Sequence, residues 1–467
     1  MPVIWWIRRD LRLADNPTLH AALTYDRQVI PVFVLDPHLL ARTPERRQHF
    51  LFNGLRALDL TLRQRGSHLI IRQGQPHIVL KNLLTESPAS FIFAEEDFTP
   101  YARHRDTTIA TYLPLKLIAG QTVHHPTAIL KANGAPYTVY TPFSRIWRQS
   151  LSSVLTPLPA PAAFAPGPLL HSDAIPAAPE HPNFPAGEAE AQRRLSCFTA
   201  PTSPSIISQN PIYQYASTRN RLDLDGTSAL SPYLRFGMLS IRQAVCAALI
   251  AFGTAPDAPS AQAAETWLNE LIWREFYIYI LYHFPHVSKA SFNPALANIR
   301  WRNHEADFAA WKTGRTGLPV VDAAMRQLAA TGWMHNRARM IVASFLVKDL
   351  LVNWQWGERW FMDQLIDGDL AANNGGWQWT AGTGTDAAPY FRIFNAVLQS
   401  RKFDPHGDFI RKWLPELAHI PTNAIHAPWE KNIQIPGYPP FPIVDHATAR
   451  QITLQAYQES KFLTDPL

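Results

Sequence analysis

Residues 29–35 read Val29-Ile30-Pro31-Val32-Phe33-Val34-Leu35, an unbroken apolar run. Residues 3–7, Val3-Ile4-Trp5-Trp6-Ile7, form a second run, and shorter ones follow at 68–71 and 90–94. Near-continuous apolar strands that alternate with amphipathic stretches are typical of a parallel sheet covered by helices on both faces. We therefore predict a Rossmann-like α/β domain over residues 1–130. No Gly-x-Gly-x-x-Gly follows the first run, so the dinucleotide-binding fingerprint is absent there.

The composition indicates a soluble globular chain with no membrane partner. Of the 467 residues 46% are hydrophobic and 17% are charged, and no apolar run approaches the roughly 18 residues that cross a bilayer. The N-terminus has no signal-peptide pattern, so we expect a cytoplasmic protein of bacterial type. Cys197 and Cys246 are too few for a disulfide framework. The net charge of +6 favours a polyanionic partner without identifying one.

The remainder of the chain divides into a linker and a helical region. Residues 151–190 contain nine of the 40 prolines and show no lasting periodicity, so we assign an interdomain linker to residues 131–204. Residues 205–467 predict a second domain that is almost all α. Its long amphipathic stretches lie at 262–283, 319–330 and 333–353.

Ten of the 15 tryptophans fall between residues 267 and 379, and two of them lie on one helical stripe. Trp267, Glu270, Trp273 and Tyr277 are spaced three and four residues apart, so they share a helix face. Indoles, a phenol and a carboxylate together suit a planar heteroaromatic ligand. An aromatic stripe can also be plain core, but a carboxylate would be costly to bury there unpaired.

Three hydroxyl residues, Thr227, Ser228 and Ser231, stand just before an apolar helical run. Ser231 is a plausible N-cap with Pro232 at the first helical position. Hydroxyls together with the free amides of a helix N-terminus could hold a diphosphate. An ordinary capped helix explains the same residues, and both interpretations stay open.

Two further segments combine polar and small residues. In 333–340, Asn336, Arg339 and Met340 share one helix face, while Arg337 lies on another. Residues 366–379 are rich in Asp, Asn and Gly, which let a backbone approach a ligand closely. We predict an ion pair between Arg339 and Asp367. A tight connection between two helices is the alternative.

Five segments together carry a family resemblance. The chain resembles the photolyase/cryptochrome family, and within it the bacterial class I cyclobutane pyrimidine dimer photolyases. The resemblance implies an α/β antenna domain, a long linker and a helical domain that binds FAD and DNA. It also implies a light-driven carbon–carbon lyase that repairs pyrimidine dimers. The segments are Arg8-Arg9-Asp10-Leu11-Arg12, Thr227-Ser228-Ala229-Leu230-Ser231, 269–277, 331–337 and 365–379.

The resemblance implies that the chain binds reduced FAD. Asn373 would face flavin N5, where plant-type cryptochromes have Asp. An amide can offer N5–H an acceptor without a second negative charge, which favours repair over signalling. The residues implied near the phosphates are Tyr215, Thr227, Ser228, Ala229, Leu230 and Ser231, with Trp267 and Arg274 nearby. Those implied near the flavin ring and ribose are Arg339, Asp367, Gly368, Asp369 and Asn373.

The resemblance also implies a site for damaged DNA, with the dimer flipped out of the duplex as photolyases require. Glu270 would hydrogen-bond the dimer. The implied dimer contacts are Glu270, Trp273, Asn336, Met340 and Trp379. The implied contacts to the flanking backbone are Arg219, Arg337, Arg392 and Gln399. Electron transfer between the flavin and the surface would use Trp377, Trp354 and Trp301.

A second, antenna chromophore is also implied, and its chemistry stays open. The segment 96–101 resembles that of deazaflavin-binding relatives, which makes Asp97, Arg105 and Arg235 candidate contacts. Folate-binding relatives have an Asn-Glu pair where Tyr101-Ala102 stand here. Deazaflavin is therefore favoured over folate, with FMN or an empty cleft as alternatives.

Three other functions stay open: a (6-4) photolyase, a cryptochrome-type photoreceptor, and a DNA-binding protein that has lost its flavin. Residues 334–340 resemble the dimer enzymes rather than the (6-4) enzymes. We expect no signalling tail, because the chain ends at Leu467. We also expect a monomer with no obligate protein partner.

Overall fold

The computed structural model describes residues 1–151, 155–199 and 210–462. The chain divides into two compact units. Unit 1 comprises Met1–Ala216 and Ser228–Pro285, and unit 2 comprises Ser217–Thr227 and His286–Leu467.

Unit 1 contains a five-stranded sheet in the order β3-β2-β1-β4-β5. All neighbouring strands are parallel, and Ile4 of β1 lies opposite Ile30 of β2 and Ile92 of β4. β1 and β2 are buried along their whole length, as unbroken apolar runs predict. The expected parallel α/β class is confirmed. The strands are β1 Val3–Ile7, β2 Val29–Leu35, β3 Ile70–Gln73, β4 Ile92–Glu95 and β5 Leu115–Ile118.

The edge strand β5 was absent from the sequence prediction. It has four residues, is only half-buried, and follows Pro114. Its alternating Leu115-Lys116-Leu117 is too short to show a period. The ammonium of Lys116 lies 3.8 Å from the ring centre of Phe91, so its charge is held over apolar surface.

The helices of unit 1 cover the sheet and continue beyond it. The segment 131–204 includes two of them, α6 and α7, and its described residues 155–187 contain neither helix nor strand. The helices are α1 Pro17–Tyr25, α2 Pro37–Leu40, α3 Glu45–Arg63, α4 Pro76–Glu86, α5 Pro100–Ala110, α6 Tyr140–Gln149, α7 Glu188–Thr199, α8 Pro211–Thr218, α9 Ser231–Phe236, α10 Ile241–Gly253 and α11 Ala258–His283, with the end of α8 passing into unit 2.

A buried carboxylate on the long helix α11 accepts hydrogen bonds from two other segments of unit 1. Glu275 accepts hydrogen bonds from the N–H of Val123 at 2.8 Å, the N–H of His124 at 3.0 Å and Nε1 of Trp147 at 2.7 Å. Burial raises the pKa of Glu275 to about 7, although the three donors oppose that rise. The carboxylate ties α11 to the segment after β5 and to α6.

Unit 2 is helical and is built around one large apolar core to which α13, α14, α15 and α16 contribute. Among the described residues, no helix combines the length and apolar composition needed to cross a membrane. The helices are α12 Glu305–Thr313, α13 Pro319–Thr331, α14 Asn336–Ser344, α15 Trp354–Gln364, α16 Leu370–Ala381, α17 Ala396–Phe403, α18 Asp408–Trp413, α19 Thr422–Ile425 and α20 His446–Phe462.

The amphipathic stretch 333–353 is shorter as a helix than its pattern predicts. Helix α14 begins only at Asn336, because His335 caps it, and a π-helical turn, Phe345–Asp349, follows its end at Ser344. In that turn Lys348 is fully buried, and its Nζ donates to the carbonyls of Ala381 at 3.0 Å and Tyr390 at 3.3 Å. The lysine thereby caps the C-terminus of α16.

We expect Gly237→Ala to destabilise unit 1. Gly237 ends α9 with a φ of 65°, and an added Cβ would overlap the carbonyl oxygen of Arg9. Strain and overlap should lower the free energy of unfolding by about 2–4 kcal/mol, measured by urea unfolding. The control Gly253→Ala, in helix α10 with open space around the new Cβ among the described residues, should be neutral or stabilising. Equal unfolding midpoints for the two variants would contradict this account.

Candidate functional site

A partly buried ion pair joins α14 to the segment before α16 in unit 2. Arg339 Nη2 donates to Asp367 Oδ2 at 2.7 Å, and Arg339 Nε donates to the carbonyl of Met334 at 2.9 Å. The side chain of Asp367 is only 2% exposed. The ion pair expected from the sequence is therefore present.

The second carboxylate oxygen of Asp367 indicates a missing donor. Oδ1 is buried and accepts no hydrogen bond from any residue that the structure describes. A buried carboxylate oxygen without a donor is costly, so this position suits a ligand that carries an N–H or a hydroxyl. FAD carries an N–H in its isoalloxazine ring and hydroxyls in its ribityl chain. The unpaired acceptor of Asp367 therefore fits that cofactor.

Asp369 and Asn373 lie on consecutive turns at the start of α16. Asp369 caps the helix, because its Oδ1 accepts from the N–H groups of Ala371 at 3.0 Å and Ala372 at 3.1 Å. Asn373 Nδ2 donates to the carbonyl oxygen of Glu358 at 3.0 Å and to its Oε1 at 3.2 Å. Since both partners are acceptors, they fix the amide orientation. The carbonyl oxygen is the group that Asn373 can offer to a ligand N–H.

Glu358 is a site residue that sequence reasoning missed. It lies on α15 and is the hydrogen-bond partner that orients Asn373. Burial raises its pKa to about 7, with the bond from Asn373 opposing the rise. A signal was present, because Glu358 is a lone carboxylate between Trp354 and Trp360, and the argument applied to Glu270 applies equally here.

Helix α14 carries two of the three candidate dimer contacts of unit 2. Asn336 is exposed on its first turn, and Met340 is half-buried one turn later. His335 caps the helix, since its Nδ1 accepts from the N–H of Arg337 at 3.1 Å. Burial, then the charges of Arg337 and Arg339, lower the pKa of His335 to about 4, so the imidazole is neutral at neutral pH.

The candidate backbone contacts of unit 2 lie on several segments. Arg337 donates to Oδ1 of Asn220 from Nε at 3.1 Å and from Nη2 at 2.7 Å, which places its guanidinium beside the segment that contains Arg219. Arg392 is exposed between α16 and α17, and Gln399 is half-buried on α17. Trp379, a candidate dimer contact, is half-buried on α16.

The three candidate electron-transfer tryptophans share the core of unit 2. Trp377 and Trp354 are buried within it, and Trp301 packs half-buried against it. The ring of Trp377 covers Gly357, one turn after Trp354, so closely that an added Cβ would overlap it. Trp301 makes an edge contact with Tyr457 at 6.1 Å between ring centres. The three rings thus share one apolar core, and the role of each in electron transfer stays a prediction.

In unit 1, Tyr215 and Trp267 are both buried against Phe198 of α7, with ring centres 5.8 and 5.0 Å away. Glu270 and Trp273 are half-buried on α11. Arg274 Nη1 and Nη2 lie 3.4 Å from the carbonyl of Gln121 and 3.3 Å from that of Leu234. Two nitrogens of the Arg274 guanidinium therefore donate to backbone carbonyls.

The hydroxyl segment differs in one detail from the sequence prediction. Helix α9 begins at Ser231, and its N-cap is Leu230, which makes no side-chain capping bond. The expected Ser231 cap is therefore wrong, because the helix starts one residue earlier than Pro232 indicated. Thr227, Ser228 and Ala229 are half-buried, and Ala229 has a φ of 48°. A left-handed non-glycine residue is strained, which is common where a backbone is shaped for a ligand.

The antenna candidates lie near the carboxyl ends of the strands of unit 1. Asp97 Oδ1 accepts from the N–H of Thr99 at 2.9 Å, and Arg9 Nη1 lies 3.9 Å from it. Arg9 Nε also donates to the carbonyl of Arg235 at 3.2 Å. Arg105 Nε donates to Asp106 at 2.9 Å. The guanidinium of Arg9 thus contacts both the carboxylate of Asp97 and the backbone carbonyl of Arg235.

A buried arginine at the same edge has unused donors. Arg8 follows β1, and its Nη1 donates to Asp106 at 2.5 Å, whereas Nε and Nη2 are buried with no acceptor among the described residues. Ligands of open parallel sheets bind at the carboxyl ends of the strands. The unused donors fit a ligand with carbonyl or anionic oxygens there.

Comparison with known families gives two matches. Residues 3–162 match the family model described as DNA photolyase, and residues 267–459 match that described as the FAD binding domain of DNA photolyase. The chain is 39% identical to the deoxyribodipyrimidine photo-lyase of Synechococcus sp., over 98% of this chain and 97% of that relative.

Two solved structures are similar over nearly the whole chain. A bacterial class III photolyase from Agrobacterium tumefaciens has a TM-score of 0.88 and 33% identity, and the match covers 99% of this chain and 98% of that one. An archaeal photolyase from Sulfolobus tokodaii, solved with two FAD molecules, has a TM-score of 0.83 and 31% identity, with coverage of 98% and 100%.

The neutral cap His335 should make unfolding pH-dependent. Its folded pKa of about 4 lies below the ordinary 6.5, so the unfolded chain binds the extra proton between these values. Its stabilisation is complete above about pH 6.5 and is lost as the pH falls towards 4, by roughly 2 kcal/mol at about pH 5.

The variant His335→Asn keeps a capping acceptor but does not titrate in this range. The difference in free energy of unfolding between wild type and variant should therefore change by that amount between about pH 7.5 and pH 5. Urea unfolding at the two pH values measures it. A difference that does not vary with pH would contradict the neutral buried imidazole.

Proposed function

This chain belongs to the DNA photolyase family, and on that premise we propose that it repairs cyclobutane pyrimidine dimers in DNA with the energy of blue light. The observation that carries the proposal is the buried oxygen of Asp367 that has no donor among the described residues, together with the amide of Asn373, which Glu358 orients. An oriented amide offers a reduced flavin an acceptor without a further negative charge. The activity would be that of a deoxyribodipyrimidine photo-lyase.

The residues of unit 2 would hold and orient the flavin. Reduced FAD would supply one electron to the dimer on absorbing blue light and recover it after the cyclobutane ring opens. Asp367 would accept from the flavin, Arg339 would hold that carboxylate in place, and Asn373 would offer its carbonyl oxygen at N5–H. Tyr215, Trp267 and the hydroxyl segment 227–231 are the candidates that the resemblance implies for the remainder of the cofactor.

The candidate contacts to a flipped-out dimer comprise hydrogen-bonding groups and apolar side chains. From unit 1, Glu270 would hydrogen-bond a pyrimidine base and orient it where charge develops, and Trp273 would provide an apolar wall. From unit 2, Asn336 would donate or accept a hydrogen bond, and Met340 and Trp379 would pack against the bases. Extrusion costs least at a damaged, poorly stacked site, so distortion of the duplex would begin the selection.

The cationic residues would hold the flanking DNA backbone. We assign this role to Arg219, Arg337 and Arg392, with Gln399 as an uncharged contact. Each phosphate neutralised would add a slope of roughly −0.9 to the dependence of log affinity on log salt. We further propose action as a monomer without an obligate protein partner, and functional regions at residues 1–130, 131–204 and 205–467.

A second chromophore would bind at the carboxyl ends of the strands in unit 1. The unused donors of Arg8 support a ligand with oxygen acceptors, and the carboxylate of Asp97 supports a ligand that also carries an N–H or hydroxyl donor. We favour a deazaflavin, with Arg105 and Arg235 as further contacts, over folate or FMN.

Illumination of the FAD-loaded, reduced protein with defined oligonucleotides tests the function. One oligonucleotide carries a cyclobutane thymine dimer and a second carries a (6-4) product, each in the light and in the dark. We expect restored thymines only from the cyclobutane dimer and only in the light. Repair of the (6-4) product alone would replace the proposed substrate, and repair of neither by a photoreducible flavoprotein would favour a photoreceptor.

We expect Trp377→Phe to block reduction of the bound, oxidised flavin by light and an external thiol. The same variant should still repair dimers once it has been reduced chemically, because the tryptophans would serve only to load the electron. Absorbance at flavin wavelengths measures the first effect and dimer repair the second. Trp429→Phe, at a half-buried tryptophan elsewhere in unit 2, is the matched control and should photoreduce normally. Normal photoreduction of Trp377→Phe would remove that residue from the path.

A further inference from the structure

Trp273 is covered on one face by another aromatic ring. In unit 1 the ring of Tyr140, the first residue of α6, lies parallel to the indole of Trp273, with 3.8 Å between ring centres and 5° between planes. Phe276 and Tyr277 contact the indole at larger angles, each with ring centres 5.6 Å away. Parallel contact at this distance fixes both the plane of the indole and the face that it presents.

The hydroxyl of Tyr140 is fastened to the same helix. It donates to the backbone carbonyl of Asn269 at 3.0 Å and lies 3.2 Å from Oδ1 of that residue. That carbonyl is the one that accepts from the N–H of Trp273 in the helical ladder. Tyr140 therefore contacts both ends of the helical turn that positions the indole.

Arg148, two turns further along α6, binds the same part of α11, at Glu265 and Asn269. Its Nη2 donates to Oδ1 of Asn269 at 2.9 Å and lies 3.5 Å from Glu265. Glu265, Asn269 and Trp273 are spaced four residues apart, so they form one row on α11. The row is held by Tyr140 at one end and by Arg148 at the other.

Tyr140 also lies in the electric field of the other candidate dimer contact of unit 1. Burial raises the pKa of its phenol, and the negative charge of Glu270 raises it further, with Arg148 opposing. The phenol is therefore protonated at neutral pH and can donate its hydrogen bond to Asn269. Glu270 and Trp273, one turn apart on α11, share this one neighbour.

We propose that Tyr140 is a positioning residue for the damaged DNA: by stacking on Trp273 it fixes the indole so that the opposite face receives the pyrimidine dimer. This inference rests on the proposed function and deepens it. Without the stack, the indole would be free to rotate about χ1 and χ2, and the dimer would have to order it on binding. The stack thus contributes to discrimination between damaged and undamaged DNA rather than to general DNA affinity.

The decisive comparison is between Tyr140→Phe and Tyr140→Leu in the full-length, FAD-loaded protein. Phenylalanine keeps the stack and loses the bond to Asn269, whereas leucine loses both. The measurement is the dissociation constant, in the dark, for a duplex with one cyclobutane thymine dimer and for the same duplex undamaged. Flavin content is measured in parallel. Tyr213→Leu is the matched control, because the hydroxyl of Tyr213 likewise donates to a helical carbonyl, that of Ala251, at 3.0 Å.

We expect Tyr140→Leu to lower the preference for the dimer about three- to tenfold, the range that aromatic pair energies imply. Its affinity for undamaged DNA and its flavin content should not change. Tyr140→Phe and Tyr213→Leu should keep the preference. The proposal is overturned if Tyr140→Leu keeps the preference, or if Tyr140→Phe loses as much of it as Tyr140→Leu does.

A second variant and the preference of the wild-type protein for the dimer complete the test. Should Tyr140→Leu fold poorly, Tyr140→Met fills similar space without a ring and is judged by the same ratio. Should the wild-type protein itself show no preference for the dimer, the proposed function fails, and the role of Tyr140 fails with it. A preference in the wild type that all Tyr140 variants retain overturns only the positioning role.

Discussion

The carboxylate of Glu275 is the constraint on which the arrangement of unit 1 depends. It accepts from two backbone N–H groups and one indole N–H, and these donors belong to the segment after β5 and to α6. Removing it would leave the buried indole N–H and two partly buried backbone N–H groups unpaired, which is more costly than the loss of an exposed bond. Since the same helix carries Trp267, Glu270 and Trp273, one buried acid fixes the helix that presents all of them.

Carboxylates withdrawn from water also position the candidate flavin-binding residues of unit 2. Asp367 holds Arg339 and keeps one oxygen unpaired, and Glu358 orients the amide of Asn373. In Glu275 and Glu358 burial raises the pKa, which measures the cost of excluding water from the acid. That cost is offset by N–H donors in each case. Polar groups that are buried and oriented in advance are what a cofactor site requires.

Local patterns predicted the local structure and one contact of the site. The unbroken apolar runs predicted β1 and β2, the helical spacing predicted the shared face of α11, and the ion pair between Arg339 and Asp367 was expected from two neighbouring segments. The edge strand β5 escaped because four half-buried residues show no period. The boundary of α9 was wrong by one residue, since Ser and Pro are both common in the first turn.

Glu275, Glu358 and Tyr140 were not predicted from the sequence for a different reason. Glu275 bonds to Trp147, Glu358 bonds to Asn373, and Tyr140 stacks on Trp273, and in each case the partners belong to different helices. Tyr140 and Trp273 are separated by more than 130 positions in the chain. A period along one helix carries no information about which residue of another helix covers it. Such contacts become visible only when the fold has brought the helices together.

The action spectrum of repair tests the central claim most directly. The quantity is the number of cyclobutane dimers repaired per incident photon, measured across the near-ultraviolet and the blue with the reduced, FAD-loaded protein. The account predicts that repair follows the absorption of the bound chromophores and is zero in the dark. Repair in the dark, or repair whose wavelength dependence bears no relation to that absorption, would contradict it.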